Sequence, residues 1–178
     1  MKTSDIEIKL FSYINVRSNL VVLKPNGGIY LMEGNLNKEL HECDVLAVSS
    51  AGYATEYEIK ISVADLKKDK LKKHGHDHNL IKNLYFVVPE KMEEIALEEI
   101  PKRAGLLIVI DRRGKLFIKE VKPVEKNKKA VKWSLKQEYQ LARLGAIRVK
   151  YLLAENDSLK EELQKQMITE VSSGNHKN

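Results

Sequence analysis

The sequence predicts an α/β fold in which a mixed central sheet is flanked by helices and followed by a long C-terminal helix. Residues 42–61 have the pattern of two strands joined by a short turn. A helical segment at about 63–73 then leads to the apolar run 84–88, and such a strand–helix–strand passage indicates parallel pairing with a right-handed crossover. From residue 134 onward, apolar side chains recur at helical spacing over several turns.

The chain is predicted to begin with one helix and two short strands. Apolar residues recur at helical spacing over residues 4–17, with Ser4 as the N-cap and Glu7 completing a capping box. The apolar run 20–23 predicts a strand that ends at a Pro-Asn-Gly-Gly turn, and residues 29–32 are a second candidate strand.

A β-hairpin is predicted next. The apolar run 45–48 forms its first strand, and the small residues at 49–52 supply the turn. Along the second strand apolar and charged side chains alternate, so one face carries Glu56, Glu58 and Lys60. If the turn is centred on Ala51, each residue before it lies opposite the residue that is the same number of positions after it.

This register brings two acids and a lysine together. Asp44 faces Glu58, Glu42 faces Lys60, and directly opposed residues have Cβ atoms about 4.5–5.5 Å apart. Two carboxylates at that distance repel each other unless a cation lies between them, and hard oxygen ligands suit Mg²⁺ or Mn²⁺. The alternative is a solvated strand surface with an ordinary Glu42–Lys60 ion pair. The surface explains Lys60 well but gives no stabilising reason for four acids on one face, Glu42, Asp44, Glu56 and Glu58, so the residues alone leave both interpretations open.

The order Asp44, then Glu58-x-Lys60, resembles the signature of the PD-(D/E)XK nuclease superfamily, with Cys43 in place of the proline. The resemblance covers about residues 40–150. Three segments are similar to the MmcB-like DNA-repair branch and its phage relatives: Gly-Tyr-Ala-Thr-Glu-Tyr-Glu-Ile-Lys-Ile-Ser-Val-Ala-Asp-Leu, Leu-Tyr-Phe-Val-Val-Pro-Glu and Ile-Pro-Lys-Arg-Ala-Gly-Leu-Leu-Ile-Val. This likeness implies a restriction-endonuclease-like core.

The resemblance also implies a divalent-metal-dependent deoxyribonuclease that hydrolyses DNA phosphodiesters in DNA repair or phage DNA processing. The implied catalytic residues are Asp44, Glu58 and Lys60. The implied ligands for one or two Mg²⁺ or Mn²⁺ ions are Asp44, Glu58 and the Ile59 carbonyl. Lys60 would orient the attacking water or stabilise charge on the phosphoryl oxygens, and Glu42 or Glu56 would add an outer contact. A non-catalytic DNA-binding or interaction module on the same fold is the alternative.

A second Asp…Glu-x-Lys set occurs at Asp111, Glu120 and Lys122. The surrounding segments predict a hairpin that turns at 112–114, with Asp111 beside the turn and Glu120 several pairs away along the ladder. These two acids should therefore lie too far apart to share a metal ion.

The remaining core is predicted to comprise the capped helix after Ser62, a strand at 84–88, a short helix at 92–99 and a hairpin at 105–122. A long helix begins at Ser134 with Gln137 as capping partner. Its apolar residues at helical spacing are Leu135, Tyr139, Leu141, Leu144 and Ile147.

The predicted organisation is one nuclease-like domain over residues 1–153, followed by a helical extension and a disordered tail over 154–178. Five residues on either side of this boundary alternate in spacings of three and four, as in a short coiled-coil seam: Val149, Leu152, Asn156, Leu159 and Leu163. The seam suggests a homodimer through the C-terminal helix, with a packed or fraying helix as the alternative.

Charge favours a polyanionic partner. The 178 residues carry a formal net charge of +6 with a pI near 9.2, and lysines cluster after the motif hairpin and before the last helix. The residues expected to contact DNA phosphates are Lys67, Lys68, Lys72, Lys73, His74, Lys128 and Lys129. A solubilising surface is the alternative for any single lysine.

Other features predict little further chemistry. Cys43 is the single cysteine, and its place before an apolar strand predicts a buried small residue instead of a nucleophile. The three alternating histidines His74, His76 and His78 could suggest a zinc site, but a solvated loop is favoured. Trp133 and Tyr139 are expected to pack in the core instead of stacking on a base. The charged N-terminus is unlike a signal peptide, which favours the cytoplasm of a bacterium or a phage-infected host.

Overall fold

The computed structural model describes residues 1–24, 30–31, 38–69 and 78–174. Its helices are α1 (Thr3–Ile14), α2 (Val63–Asp69), α3 (Glu93–Glu99) and α4 (Leu135–Gly174), and a short 3-10 turn, Glu90–Met92, precedes α3. Its strands are β1 (Asn19–Leu23), β2 (Tyr30–Leu31), β3 (Lys38–Glu39), β4 (Val45–Ser49), β5 (Ala54–Ile59), β6 (Ile81–Pro89), β7 (Gly105–Arg112) and β8 (Lys115–Lys122).

Six strands form a mixed sheet in the order β1-β4-β5-β6-β7-β8, and β2 pairs with β3 in a separate two-stranded ribbon. The β5–β6 and β6–β7 pairs are parallel, whereas the other pairs of the large sheet are antiparallel. Helices α2 and α3 make the two parallel connections, and the strand–helix–strand pattern predicts the first of them. The expected α/β class, with a mixed sheet flanked by helices and a long C-terminal helix, is confirmed.

The central hairpin has the register that the sequence predicts. Val45 pairs with Tyr57, and the pairing continues to Val48 with Ala54 at the turn. Gly52 occupies the left-handed region in this turn, with φ of +79°, where glycine meets no Cβ penalty. Continued one step beyond Val45, the ladder places Asp44 opposite Glu58.

The two faces of the sheet are covered by different helices. Helix α1 packs Ile6, Leu10 and Ile14 on the face that carries Val45, Ala47, Tyr57 and Ile59. On the other face, Leu66 of α2 joins Leu84, Phe86 and Val88 of β6. Because side chains alternate along a strand, Glu56, Glu58 and Lys60 project to the face that carries α2.

The start of α4 packs on the edge strand β1 through a few residues only. The Ser134 amide donates to the Gln137 side chain at 2.8 Å, which confirms the predicted cap. Leu141 is buried in the cluster that contains Val22. The expected apolar stripe is wrong at Leu135, Tyr139 and Ile147, which are 83%, 70% and 38% exposed, because they lie off the side of α4 that meets β1.

Helix α1 differs from the prediction at both ends. Helix α1 begins at Thr3 with Lys2 as N-cap, and the Asp5 carboxylate accepts the Lys2 amide at 2.8 Å, so Ser4 is not the cap. The same helix ends at Ile14, where Asn19 Nδ2 donates to the Ile14 carbonyl at 2.8 Å.

Strand β6 begins at Ile81, three residues before the predicted 84, because the polar Asn83 side chain donates to Thr55 Oγ1 on β5 at 3.0 Å. Helix α4 continues through residue 153 to Gly174, and residues 175–178 lie outside the described part. Within the described ranges, no helix combines the length and apolar character that crossing a membrane requires.

Candidate metal site on strand β5

The α2-facing side of β5 and the residue that follows it carry three buried charged residues. Glu56, Glu58 and Lys60 are 0%, 2% and 5% exposed. Charged side chains are almost never this buried unless they are paired. The alternative of a solvated strand surface is therefore wrong for these three positions.

Lys60 lies between two carboxylates. Its Nζ is 2.9 Å from Glu58 Oε2 and 2.9 Å from Asp69 Oδ1. Asp69 is the last residue of α2 and is itself buried, so the ion pair ties the end of that helix to the strand. Glu42, expected opposite Lys60, is exposed.

Sequence reasoning missed Asp69. Its one signal is helical phase, because Asp69 comes three residues after Leu66 and so shares the side of α2 that packs on the sheet. The helix itself is capped as predicted, since Ser62 Oγ accepts the Asp65 amide at 3.2 Å.

Asp44 precedes β4 and reaches across to the end of β5. Its Oδ2 accepts the Ile59 amide at 2.8 Å, while the Lys60 amide donates to the Val87 carbonyl at 3.0 Å on the opposite side. Successive amides of a strand point alternately to its two neighbours. The Ile59 carbonyl is thus directed to the same side as Asp44, as a shared metal site would require.

The electrostatics of the site centre on Glu58. Burial raises the pKa of the Glu58 carboxyl and the charge of Lys60 opposes this, but Asp44 and Glu56 raise the pKa further, and the net result lies above the ordinary value. Burial lowers the pKa of Lys60, whereas the Glu58 charge and the hydrogen bonds of Glu58 and Asp69 raise it by more. Lys60 is therefore firmly protonated, and Glu58 is the group that an added cation would relieve.

Glu56 has a different partner from Glu58. Its Oε1 lies 2.7 Å from His41 Nε2, and Cys43 is buried beside them. One ligand atom from each of His41, Cys43 and Glu56 lies within 4.8 Å of the other two. The burial predicted for Cys43 is confirmed. His41 was missed, because it lies in a polar segment without periodicity, and only the His-x-Cys spacing could have indicated it.

The structure describes four of the seven residues that are predicted to contact DNA. Lys67 and Lys68 are exposed on α2, and Lys128 and Lys129 are exposed in the loop before α4. The candidates that lie outside the described residues are Lys72, Lys73 and His74. Exposure meets the first requirement for phosphate contacts.

The second Asp…Glu-x-Lys set is separated as predicted. Asp111 pairs with Leu116, whereas Glu120 pairs with Leu107. Four residues along a strand correspond to about 14 Å. The Asp111 carboxylate accepts the Gly114 amide at 2.8 Å in the hairpin turn, so this aspartate has a local structural role.

A cavity of about 290 Å³ adjoins the charged site where α2 approaches the end of α3. Asp69, Leu66, Phe86 and residues 98–101 line it, including Glu98 and Glu99. Its acidic lining would attract cations and repel an unaccompanied phosphate.

Comparison with known proteins supports the fold alone. No family model matches the chain, and no curated protein matches it. Among solved structures, a protein of unknown function from Silicibacter pomeroyi is similar, with 16% sequence identity and a TM-score of 0.51 over 85% of this chain and 88% of that one. The likeness extends over most of both chains, and its low identity carries no argument about activity.

Proposed function

We propose that this chain is a divalent-metal-dependent deoxyribonuclease that hydrolyses DNA phosphodiesters, acting in DNA repair or phage DNA processing. The observation that carries the proposal is the hairpin register, in which Val45 pairs with Tyr57. One step further, this register would bring Asp44 opposite Glu58, with Lys60 on the same face as Glu58. The resemblance of Asp44 and Glu58-x-Lys60 to the PD-(D/E)XK signature supports the same conclusion.

The donor set fits a hard divalent ion. Asp44 and Glu58 offer carboxylate oxygens, and the Ile59 carbonyl points to the same side of β5. All three are the oxygen ligands that Mg²⁺ and Mn²⁺ prefer. A bound ion would supply Lewis-acid polarisation of the scissile phosphodiester.

Lys60 serves this chemistry as a cation. Its pKa is raised by Glu58 and Asp69, so the ammonium stays charged at neutral pH and does not act as a general base. The two carboxylates fix Nζ in position, as preorganised stabilisation of charge on a phosphoryl oxygen requires. Asp69 therefore positions Lys60, and Glu56 supports the site from the neighbouring position on β5.

DNA is the proposed partner. Lys67, Lys68, Lys128 and Lys129 are exposed, and a net charge of +6 favours a polyanion. Phosphate contacts of this kind release counterions, so binding should weaken steeply with salt. We also propose that the protein acts in the cytoplasm.

A homodimer through α4 is proposed as the assembly. The seam residues Val149, Leu152, Leu159 and Leu163 are all exposed on this helix. A polar Asn156 at an inner position would set the register of two helices at some cost in stability.

A non-catalytic DNA-binding module is the second candidate, and the burial of the site favours it. Lys60 lies at ion-pair distance from the carboxylates of Glu58 and Asp69, an arrangement that would also serve simply to hold α2 on β5. This module would keep the exposed lysines and would show no turnover.

Asp44→Asn tests the nuclease proposal with little damage to the fold, because the amide oxygen can still accept the Ile59 amide. Asp111→Asn is the matched control, since Asp111 also accepts a backbone amide but lies elsewhere in the sheet. Mn²⁺ at about 100 times its Kd should stabilise the wild type and Asp111→Asn by about 2.7 kcal/mol, and this gain should vanish in Asp44→Asn.

Plasmid nicking in Mn²⁺ provides the functional measurement. The wild type and Asp111→Asn should nick the plasmid, and Asp44→Asn should not. Equal nicking by all three proteins would remove Asp44 from the site. Binding of DNA and Mn²⁺ with no cleavage of supercoiled, linear or single-stranded DNA would contradict the nuclease and support the binding module.

A further inference from the structure

We propose that His41, Cys43 and Glu56 form a second metal site, which takes Zn²⁺ and is distinct from the carboxylate site of Asp44 and Glu58. The proposal goes beyond the nuclease function and does not depend on it. It assigns to Glu56 a role as a direct ligand, where the sequence predicts only an outer contact.

The three ligand atoms already lie close enough together to share one ion. Each lies within 4.8 Å of the other two, and His41 Nε2 is 2.7 Å from Glu56 Oε1. Zinc bonds of about 2.0–2.3 Å place tetrahedral ligand atoms about 3.3–3.6 Å apart. The His41–Glu56 contact must therefore open by about 0.6 Å, which a small side-chain adjustment achieves.

The ligand set selects zinc over the hard ions of the neighbouring site. A thiolate, an imidazole and a carboxylate suit Zn²⁺ or Co²⁺, whereas Mg²⁺ and Mn²⁺ prefer oxygen ligands alone. The Cys43 thiol now points to the His41 carbonyl at 3.5 Å, and its proton would leave to solvent when the thiolate binds. Three protein ligands leave the fourth position for water or an exchangeable group.

The site lies where a metal would influence Asp44. His41 and Cys43 belong to the segment that enters β4, and Glu56 lies on β5. A zinc ion bound by all three would join this segment to the strand, and Asp44 follows Cys43 directly. Zinc would then fix the backbone from which the Asp44 carboxylate reaches Ile59.

The experiment uses the untagged full chain and Co²⁺ as a spectroscopic substitute for Zn²⁺. Cobalt bound to thiolate gives a near-ultraviolet charge-transfer band, and Cys43 is the single cysteine of the chain. Cobalt bound to any histidines of residues 74–78 would lack this band. We expect the band at one Co²⁺ per chain, its loss on adding one equivalent of Zn²⁺, and its absence in Cys43→Ser.

Three variants separate this site from the proposed nuclease site. His41→Ala should weaken Zn²⁺ binding by more than about 100-fold, since loss of a direct ligand exceeds the usual 10–100-fold effect of an outer contact. Asp44→Asn should keep the cobalt band and lose the response to Mn²⁺. Cys43→Ser should lose the band and keep the response to Mn²⁺.

A second measurement on the wild type guards against a Cys43→Ser protein that fails to fold. Zn²⁺ should slow the reaction of the Cys43 thiol with a small thiol reagent at least tenfold. Absence of the band in the wild type, or thiol reactivity that Zn²⁺ leaves unchanged, would overturn the zinc site and reduce the cluster to a His41–Glu56 ion pair beside a buried cysteine. Neither result would bear on the Mn²⁺ response.

Discussion

Replacing Lys60 with methionine should reveal how strongly the fold depends on the buried ion pair. Methionine keeps the unbranched apolar stem and removes the ammonium, so Glu58 and Asp69 remain buried without their shared cation. Removing one partner of a buried pair typically costs about 3–5 kcal/mol. For a chain of this size, that loss lowers the melting temperature by about 6–20 °C.

The pH dependence gives this prediction its sharper form. Because the pKa of Lys60 is raised above 10.5, its stabilisation is fully present below pH 10.5 and is lost only as pH rises through the folded value. In Lys60→Met the pKa of Glu58 rises further, since the charge that lowers it is gone. Protonated Glu58 needs no cation, so the difference between variant and wild type should shrink from about pH 8 to about pH 4.5.

Urea denaturation followed by circular dichroism at both pH values would measure the effect. Lys68→Met is the matched control, because Lys68 is an exposed lysine of α2, and its replacement should change the free energy of unfolding by less than about 0.5 kcal/mol. A Lys60→Met loss below about 1 kcal/mol, or a loss equal at the two pH values, would refute the description of Lys60 as the cation that neutralises buried carboxylates.

Three further variants test separate parts of the structure. Glu58→Gln should gain stability relative to the wild type as pH rises above 4.5, because a raised pKa means that ionising Glu58 costs folding free energy, and urea midpoints at two pH values would show it. Trp133→Phe removes the 2.9 Å hydrogen bond to the buried Leu80 carbonyl and should lower the free energy of unfolding by about 1–3 kcal/mol, as measured by circular dichroism. An unchanged free energy would contradict that bond. Gly105→Ala would place a Cβ 2.4 Å from the Tyr85 ring and should cost about 1–3 kcal/mol in urea denaturation, and an unchanged midpoint would mean that the ring moves freely.

The hairpin register could be predicted from the sequence because local chemistry determines it. Small residues and Gly52 confine the reversal to one place, and a register error of one residue would turn the apolar set of 45–48 to the wrong faces. The parallel pairs were predictable for a similar reason, since a helix between two strands allows few other connections.

Partners from outside the hairpin could not be predicted. Lys60 meets Asp69 through the way α2 packs on β5. Among the 25 acids of the sequence, only its helical spacing from Leu66 distinguishes Asp69, and that spacing does not name Lys60 as its partner. Periodicity likewise predicts that α4 has apolar positions but not which of them meet another element. Leu141 is buried against the cluster around Val22, whereas Leu135 is exposed, because only one side of α4 reaches β1.

The charged side chains of β5 lie next to apolar side chains on the same face of the sheet. Glu56 pairs with Leu84 and Glu58 pairs with Phe86 of β6, and both apolar residues are fully packed beneath α2 and α3. Replacing buried ion pairs with apolar residues of similar volume is often neutral or stabilising. Stability alone would therefore favour apolar residues on β5 as well, so the buried charges need another explanation. Two metal sites, one of oxygen ligands at Glu58 and one of mixed ligands at Glu56, would account for both acids, because each cation offsets the burial cost of the carboxylate that binds it.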